Sequence, residues 1–101
     1  MNVTVNSANG GAQIDIKVHG RFDHLQHEAF RKASTVVPAS GGRYVVDLGH
    51  TEYIDSSALG MLLLLHDRAN RAGATVSVCN CAAGVRRVLE IANLDKLFEV
   101  S

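Results

Sequence analysis

Tyr44-Val45-Val46-Asp47-Leu48, followed at a short distance by Tyr53-Ile54-Asp55-Ser56-Ser57-Ala58-Leu59-Gly60-Met61-Leu62-Leu63-Leu64-Leu65, decides the fold of this chain. The first run is contiguous, β-branched and aromatic, as expected of a central strand buried on both faces in a partly parallel sheet. The second opens with an acid and two hydroxyls, which favour a helix N-terminus, and continues into an apolar helix that Gly73 closes. A strand running into a capped helix is half of a βαβ unit. The hydroxyls therefore sit at a helix mouth, where free backbone N–H groups and the positive end of the helix dipole favour negative charge. Phosphorylating a serine there adds about −1.5 to −2 charges at neutral pH. The segment reads as a switch rather than as an active site.

Working outward, Val3 and Val5 alternate with polar residues, as do Ile14, Ile16 and Val18, and Asn9-Gly10 between them is a favoured two-residue hairpin turn. A turn centred there pairs Val5 with Ile14 and Val3 with Ile16, placing the apolar residues on one side. Gly20 breaks the run. Asp23 then caps a helix carrying Leu25, Ala29, Phe30, Ala33 and Val37, ended by Pro38 and Gly41-Gly42. Beyond the central helix, Thr75 to Asn80 alternates as a strand. Ala83 to Ala92 is helical with Val85, Val88, Leu89 and Ala92 inward, Asn93 is a left-handed cap, and Leu94, Leu97, Phe98 and Val100 dock the tail. The order ββαβαβα, without internal repeat or linker, predicts an α/β fold: a mixed sheet of roughly four to five strands with an N-terminal hairpin and about four helices packed on it.

The chain has 101 residues and equal numbers of acids and bases. That is one domain, 1–101, able to bury roughly 60 to 68% of its unfolded surface. Zero net charge gives no global pull towards nucleic acid or an anionic membrane. The longest apolar stretch, Met61 to Leu65, is far short of the about 20 residues that span a bilayer, and Met1-Asn2-Val3-Thr4-Val5 lacks the features of a signal peptide. The expectation is a cytoplasmic protein. Cys79 and Cys81 read as reduced core or edge residues, since a zinc site needs two more ligands and other spacing. No metal or cofactor is expected.

On a helical wheel, Leu59, Leu62, Leu63, His66, Ala69 and Asn70 form one stripe, assigned to the core, while Met61, Leu64, Arg68 and Arg71 lie opposite. Met61, Leu64 and Arg68 thereby define a partner-docking surface with Ser57 at its edge. Asp55 or Ser56 suffices as the cap, which leaves Ser57 free on the outer face. Ser57 is not in a Gly-x-Ser-x-Gly elbow and no glycine-rich oxyanion loop is evident, so a hydrolase is disfavoured. Asp23 and Asp47 read most simply as a helix cap and an acceptor for loop amides. If the strand order brings Asp23 beside Asp55, the pair could position a hydroxyl or share a divalent cation during phosphoryl transfer.

Four segments together resemble STAS domains of the anti-sigma factor antagonist type: Val18-His19-Gly20-Arg21-Phe22-Asp23; Val45-Val46-Asp47-Leu48 leading to Tyr53-Ile54-Asp55-Ser56-Ser57-Ala58-Leu59-Gly60; Ala74-Thr75-Val76-Ser77-Val78; and Val88 to Phe98. The resemblance covers nearly the whole chain and implies the STAS fold and a non-enzymatic, partner-switching role. The unmodified antagonist binds an anti-sigma factor that is also a GHKL-type serine kinase. That kinase uses ATP and magnesium to phosphorylate it, and a PP2C-type phosphatase reverses the step. The phosphorylated serine of the family maps to Ser57, with Asp23, Asp55 and Ser56 as its support. Ala58 departs from the glycine of many members, a change that bears on how closely a partner approaches. The alternative is a constitutive scaffold or accessory subunit of a regulatory, secretion or lipid-transport complex, without phosphate at Ser57.

Overall fold

The computed structural model describes residues 2–101. Five strands form one sheet in the order β1 (Val3–Ala8), β2 (Gln13–Phe22), β3 (Arg43–Ile54), β4 (Thr75–Cys79) and β5 (Glu99–Val100). β1 is antiparallel to β2, and every later pair is parallel. Three α-helices connect them: α1 (His27–Ser34), α2 (Ser56–Arg71) and α3 (Ala83–Ile91). Short 3-10 turns at His24–Gln26 and Leu94–Lys96 take the place of a fourth helix. The mixed sheet with packed helices is the architecture expected from the sequence.

Alternation decides which side of the sheet is covered. Ile14, Ile16, Val18, Tyr44, Val46, Leu48, Val76 and Val78 are buried and share one core with Phe30, Ala58, Leu62, Leu65, Ala69, Val85 and Leu89 of the helices. The intervening Gln13, Asp15, Lys17, Val45, Asp47, Ser77 and Cys79 are only half-buried. β3 is thus central, but it is not buried on both faces. Its other side carries Asp47, whose carboxylate accepts from the Gly49 amide at 2.8 Å and the Asn80 side chain at 3.2 Å, with Lys17 at 3.9 Å. Asp47 is therefore an acceptor for a loop amide, as its position in the sequence suggested.

The hairpin forms with a different register. Val5 pairs with Ile16 and Val3 with Val18. Asn9, Gly10 and Gly11 all take positive φ, and the Ala12 amide bonds to the Asn9 carbonyl at 3.2 Å, so the loop is longer than a two-residue turn. A shift of two positions keeps every side chain on its own face. At Gly20, where φ is +78°, β2 does not end but passes through an irregularity and continues to Phe22. α1 stops at Ser34, three residues before Val37, and Leu25 in the preceding turn is exposed. Cys79 and Cys81 are free, and burial, with a contribution from Cys79, pushes the Cys81 thiol up to about 11.

Gly42 is fixed by close approach. A Cβ there would stand 2.2 Å from the Ala12 carbonyl oxygen and 2.8 Å from that of Ala39. Backbone oxygens cannot swing away as a side chain can, so only glycine fits between the loops that lead into β3.

Candidate functional site

Parallel pairing of β2 with β3 ends at Phe22 opposite Ile54, so the residues that follow, Asp23 and Asp55, emerge side by side at one end of the sheet. Each begins a helical turn. The Asp23 carboxylate accepts from the Leu25 amide at 3.0 Å, and that of Asp55 accepts from the Ala58 amide at 3.1 Å. Two of the donors that a helix start leaves without partners are satisfied in this way.

Asp23 is buried and tied further by Arg21, whose Nε donates to it at 3.1 Å while the guanidinium lies 4.0 Å from the Tyr53 ring centroid. Burial pulls the Asp23 carboxyl up, but the Arg21 and Leu25 bonds together outweigh it and hold the group below the ordinary carboxylate range. An acid so occupied supports the loop as an anion. Among the described residues no cluster of three or more His, Cys, Asp or Glu side chains could hold a metal ion.

Asp55 alone caps α2. Ser56, expected to share that role, is the first helical residue and is exposed, as is Ser57. Neither hydroxyl makes a hydrogen bond among the described residues, so both are chemically free. Ala58 is fully buried, so its methyl group meets the core and not a docking partner.

The wheel placed the core stripe of α2 about one residue, or roughly 100°, away from where it lies. The buried residues are Ala58, Met61, Leu62, Leu65 and Ala69. Met61 is 4% exposed and belongs to the core, which removes it from the docking surface assigned to it. Leu63, assigned to the core, is instead 41% exposed. The run Met61 to Leu65 is apolar at every position, so periodicity within it does not select a face. Leu64, 64% exposed, and Arg68 are outward as expected.

The hollow at the helix mouth, about 540 Å³, is lined by His27, Ser57, Gly60, Met61, Leu63, Leu64 and Asp67. His27 and Asp67 were not found by sequence reasoning. His27 arrives from α1 and has no local signal. Asp67 lies on the outer face of α2 and is legible once the core stripe is placed correctly.

A family model described as "Mlab, STAS domain" matches residues 5–99. The chain belongs to the STAS domain family. A STAS-domain containing protein of Pseudomonas aeruginosa is 45% identical over 101 residues, covering 100% of both chains. An anti-sigma F factor antagonist of Paenibacillus polymyxa is 22% identical over 102 residues, covering 99% of this chain and 87% of the other. The solved structure of the anti-sigma factor antagonist SpoIIAA in its unphosphorylated form superposes with a TM-score of 0.82 at 17% identity, covering 98% of this STAS domain and 87% of that chain. No described helix is long and apolar enough to cross a membrane.

Proposed function

We propose that this STAS domain is an anti-sigma factor antagonist that works by partner switching in the cytoplasm. In this reading the unmodified protein binds a GHKL-type serine kinase that is also the anti-sigma factor, phosphorylation of Ser57 abolishes that binding, and a PP2C-type phosphatase restores it. The observation that carries the reading is the separation of roles at the helix mouth. Asp55 holds the cap, while Ser57 is exposed, makes no hydrogen bond within the described residues, and borders the exposed Leu64. The kinship with a Paenibacillus polymyxa anti-sigma F factor antagonist supports it.

The mechanism is electrostatic and local. Within the domain, a phosphate in the first turn of α2 meets free amides and the positive end of the helix dipole, so the fold tolerates it. Against a partner, the same dianion must shed water and faces any partner carboxylate at short range. Leu63, Leu64 and Arg68 supply the contact area that the phosphate then denies. The supporting roles fall to Asp23 and Asp55, which set the paired loops, whereas Ser56 is a neighbour without a structural task.

Ser57→Ala is expected to bind the partner kinase constitutively and Ser57→Asp weakly, both with wild-type circular dichroism. Equal affinity of the two variants for that kinase defeats the proposal. The exposed apolar hollow beside Ser57 would also serve a permanent subunit of a larger complex, and under that reading both variants bind as the wild type does.

A further inference from the structure

A second hollow, of about 520 Å³, lies between α1 and α2. Its exposed apolar lining is Val37 and Leu64, with the buried core side chains of Phe30, Met61 and Leu65 beneath them. Its rim is basic: Arg31, Arg68 and Arg71 all line it, with Asp67 the one acid. Three guanidinium groups surround this apolar trough in a chain whose formal charge is zero, and the local excess is the one without a partner. Two of them are engaged, Arg31 with Glu28 at 2.7 Å and Arg71 with Asp67 at 3.0 Å. Arg68 makes no ion pair among the described residues.

We propose that this groove binds a small amphiphilic carboxylate, a single acyl or aryl chain ending in one anionic group. The volume falls within the range of roughly 300 to 1,000 Å³ typical of small-molecule sites, which combine mostly apolar walls with a few polar groups that fix orientation. The chain lies against the exposed Val37 and Leu64, and the carboxylate meets Arg68, whose planar fork suits it. A neutral chain finds the same apolar lining but leaves the Arg68 guanidinium unanswered, and a cationic chain is repelled by it. The site stands apart from the role given to Ser57. The two hollows share His27, Met61, Leu64 and Asp67, however, so an occupied groove would cover part of the surface assigned to the kinase.

The test is a titration of the full chain with decanoate, decan-1-ol and decyltrimethylammonium below their aggregation limits, followed by amide and methyl NMR and by calorimetry. Decanoate is expected to bind saturably, shifting Val37 and Leu64, at least about tenfold more tightly than decan-1-ol. Arg68→Gln, at an exposed position, is expected to remove roughly that factor for decanoate, the worth of one charge-assisted contact, and to leave decan-1-ol unchanged. Equal affinities for decanoate and decan-1-ol, decanoate binding unaffected by Arg68→Gln, shifts confined to another face, or no saturable binding each overturn the proposal. So does attachment of the protein to phosphatidylglycerol vesicles with no affinity for free decanoate. None of these outcomes bears on whether Ser57 is phosphorylated.

Discussion

Ser57→Asp places a fixed carboxylate in the first turn of α2, and the structure says how much stability this should change. Ser57 is exposed and its hydroxyl holds nothing among the described residues, so no bond is lost. A negative charge in the first turn gains about 0.3 to 1 kcal/mol from the helix dipole at low ionic strength. The nearby Asp55 carboxylate, already committed to the Ala58 amide, subtracts part of that by like-charge repulsion. The expected net effect is between zero and about 1 kcal/mol of stabilisation, or a rise in Tm of up to about 6 °C for a domain of this size. Thermal unfolding followed by circular dichroism checks it at low salt and in 1 M NaCl, where a screening length of about 3 Å removes most of the gain. Asp55→Ala is the control. It loses the cap, costs about 1 kcal/mol, and should lower Tm by roughly 4 to 8 °C. A fall in Tm for Ser57→Asp as large as that for Asp55→Ala would refute the reasoning, because Ser57 would then be part of what holds the helix.

Further outcomes separate the core from the surface. Met61→Ala should cost about 2 to 5 kcal/mol in urea unfolding, as for other buried large side chains, whereas Leu64→Ala should stay within about 0.5 kcal/mol of wild type. Leu64→Glu should leave unfolding unchanged and weaken binding to the partner kinase at least about tenfold in calorimetry. Gly42→Ala should destabilise by several kcal/mol, roughly the upper end of single-residue effects, since its Cβ meets two backbone oxygens; a small effect in urea unfolding would show that the loops yield. The Cys81 thiol, raised from 9.0 to about 11 by burial first, favours the folded state fully below its unfolded value. That contribution is lost as pH rises towards about 11. The stability difference between wild type and Cys81→Ala should therefore shrink between pH 8 and pH 11, and iodoacetamide should label the native thiol slowly at pH 8.

Much of the architecture was legible because it is written in local chemistry. Asp55 before an apolar run, Gly73 and Asn93 at helix ends, and the alternation of Ile14, Ile16 and Val18 each announce an element through one physical preference, and all were found where expected. Register and facing are different quantities. Three consecutive positive φ angles at Asn9, Gly10 and Gly11 lengthened the hairpin loop by a means that composition does not distinguish from a tight Asn-Gly turn. The apolar block Met61 to Leu65 offers no polar residue to mark the outward side, so the facing of α2 was decided by its neighbours. The small Ala58 and Ala69 are buried in the core with Met61, Leu62 and Leu65, and the stripe settled there. The pairing of Asp23 with Asp55 at one sheet end needed strand order, and His27 needed the packing of α1 against α2. The exposed hydroxyl of Ser57 was legible because the cap falls on its neighbour Asp55 and leaves that hydroxyl without a structural task.

The central claim, a reversible phosphate on Ser57 that controls docking, is tested most directly by one measurement. The purified domain is incubated with its candidate GHKL-type kinase and MgATP, the added phosphate is located by fragment-ion mass spectrometry, and the kinase affinity of the modified and unmodified forms is compared. The account requires one phosphate, on Ser57 and not on Ser56, with the modified form bound far more weakly. Phosphate on Ser56, on neither serine, or on Ser57 without a change in affinity would contradict it.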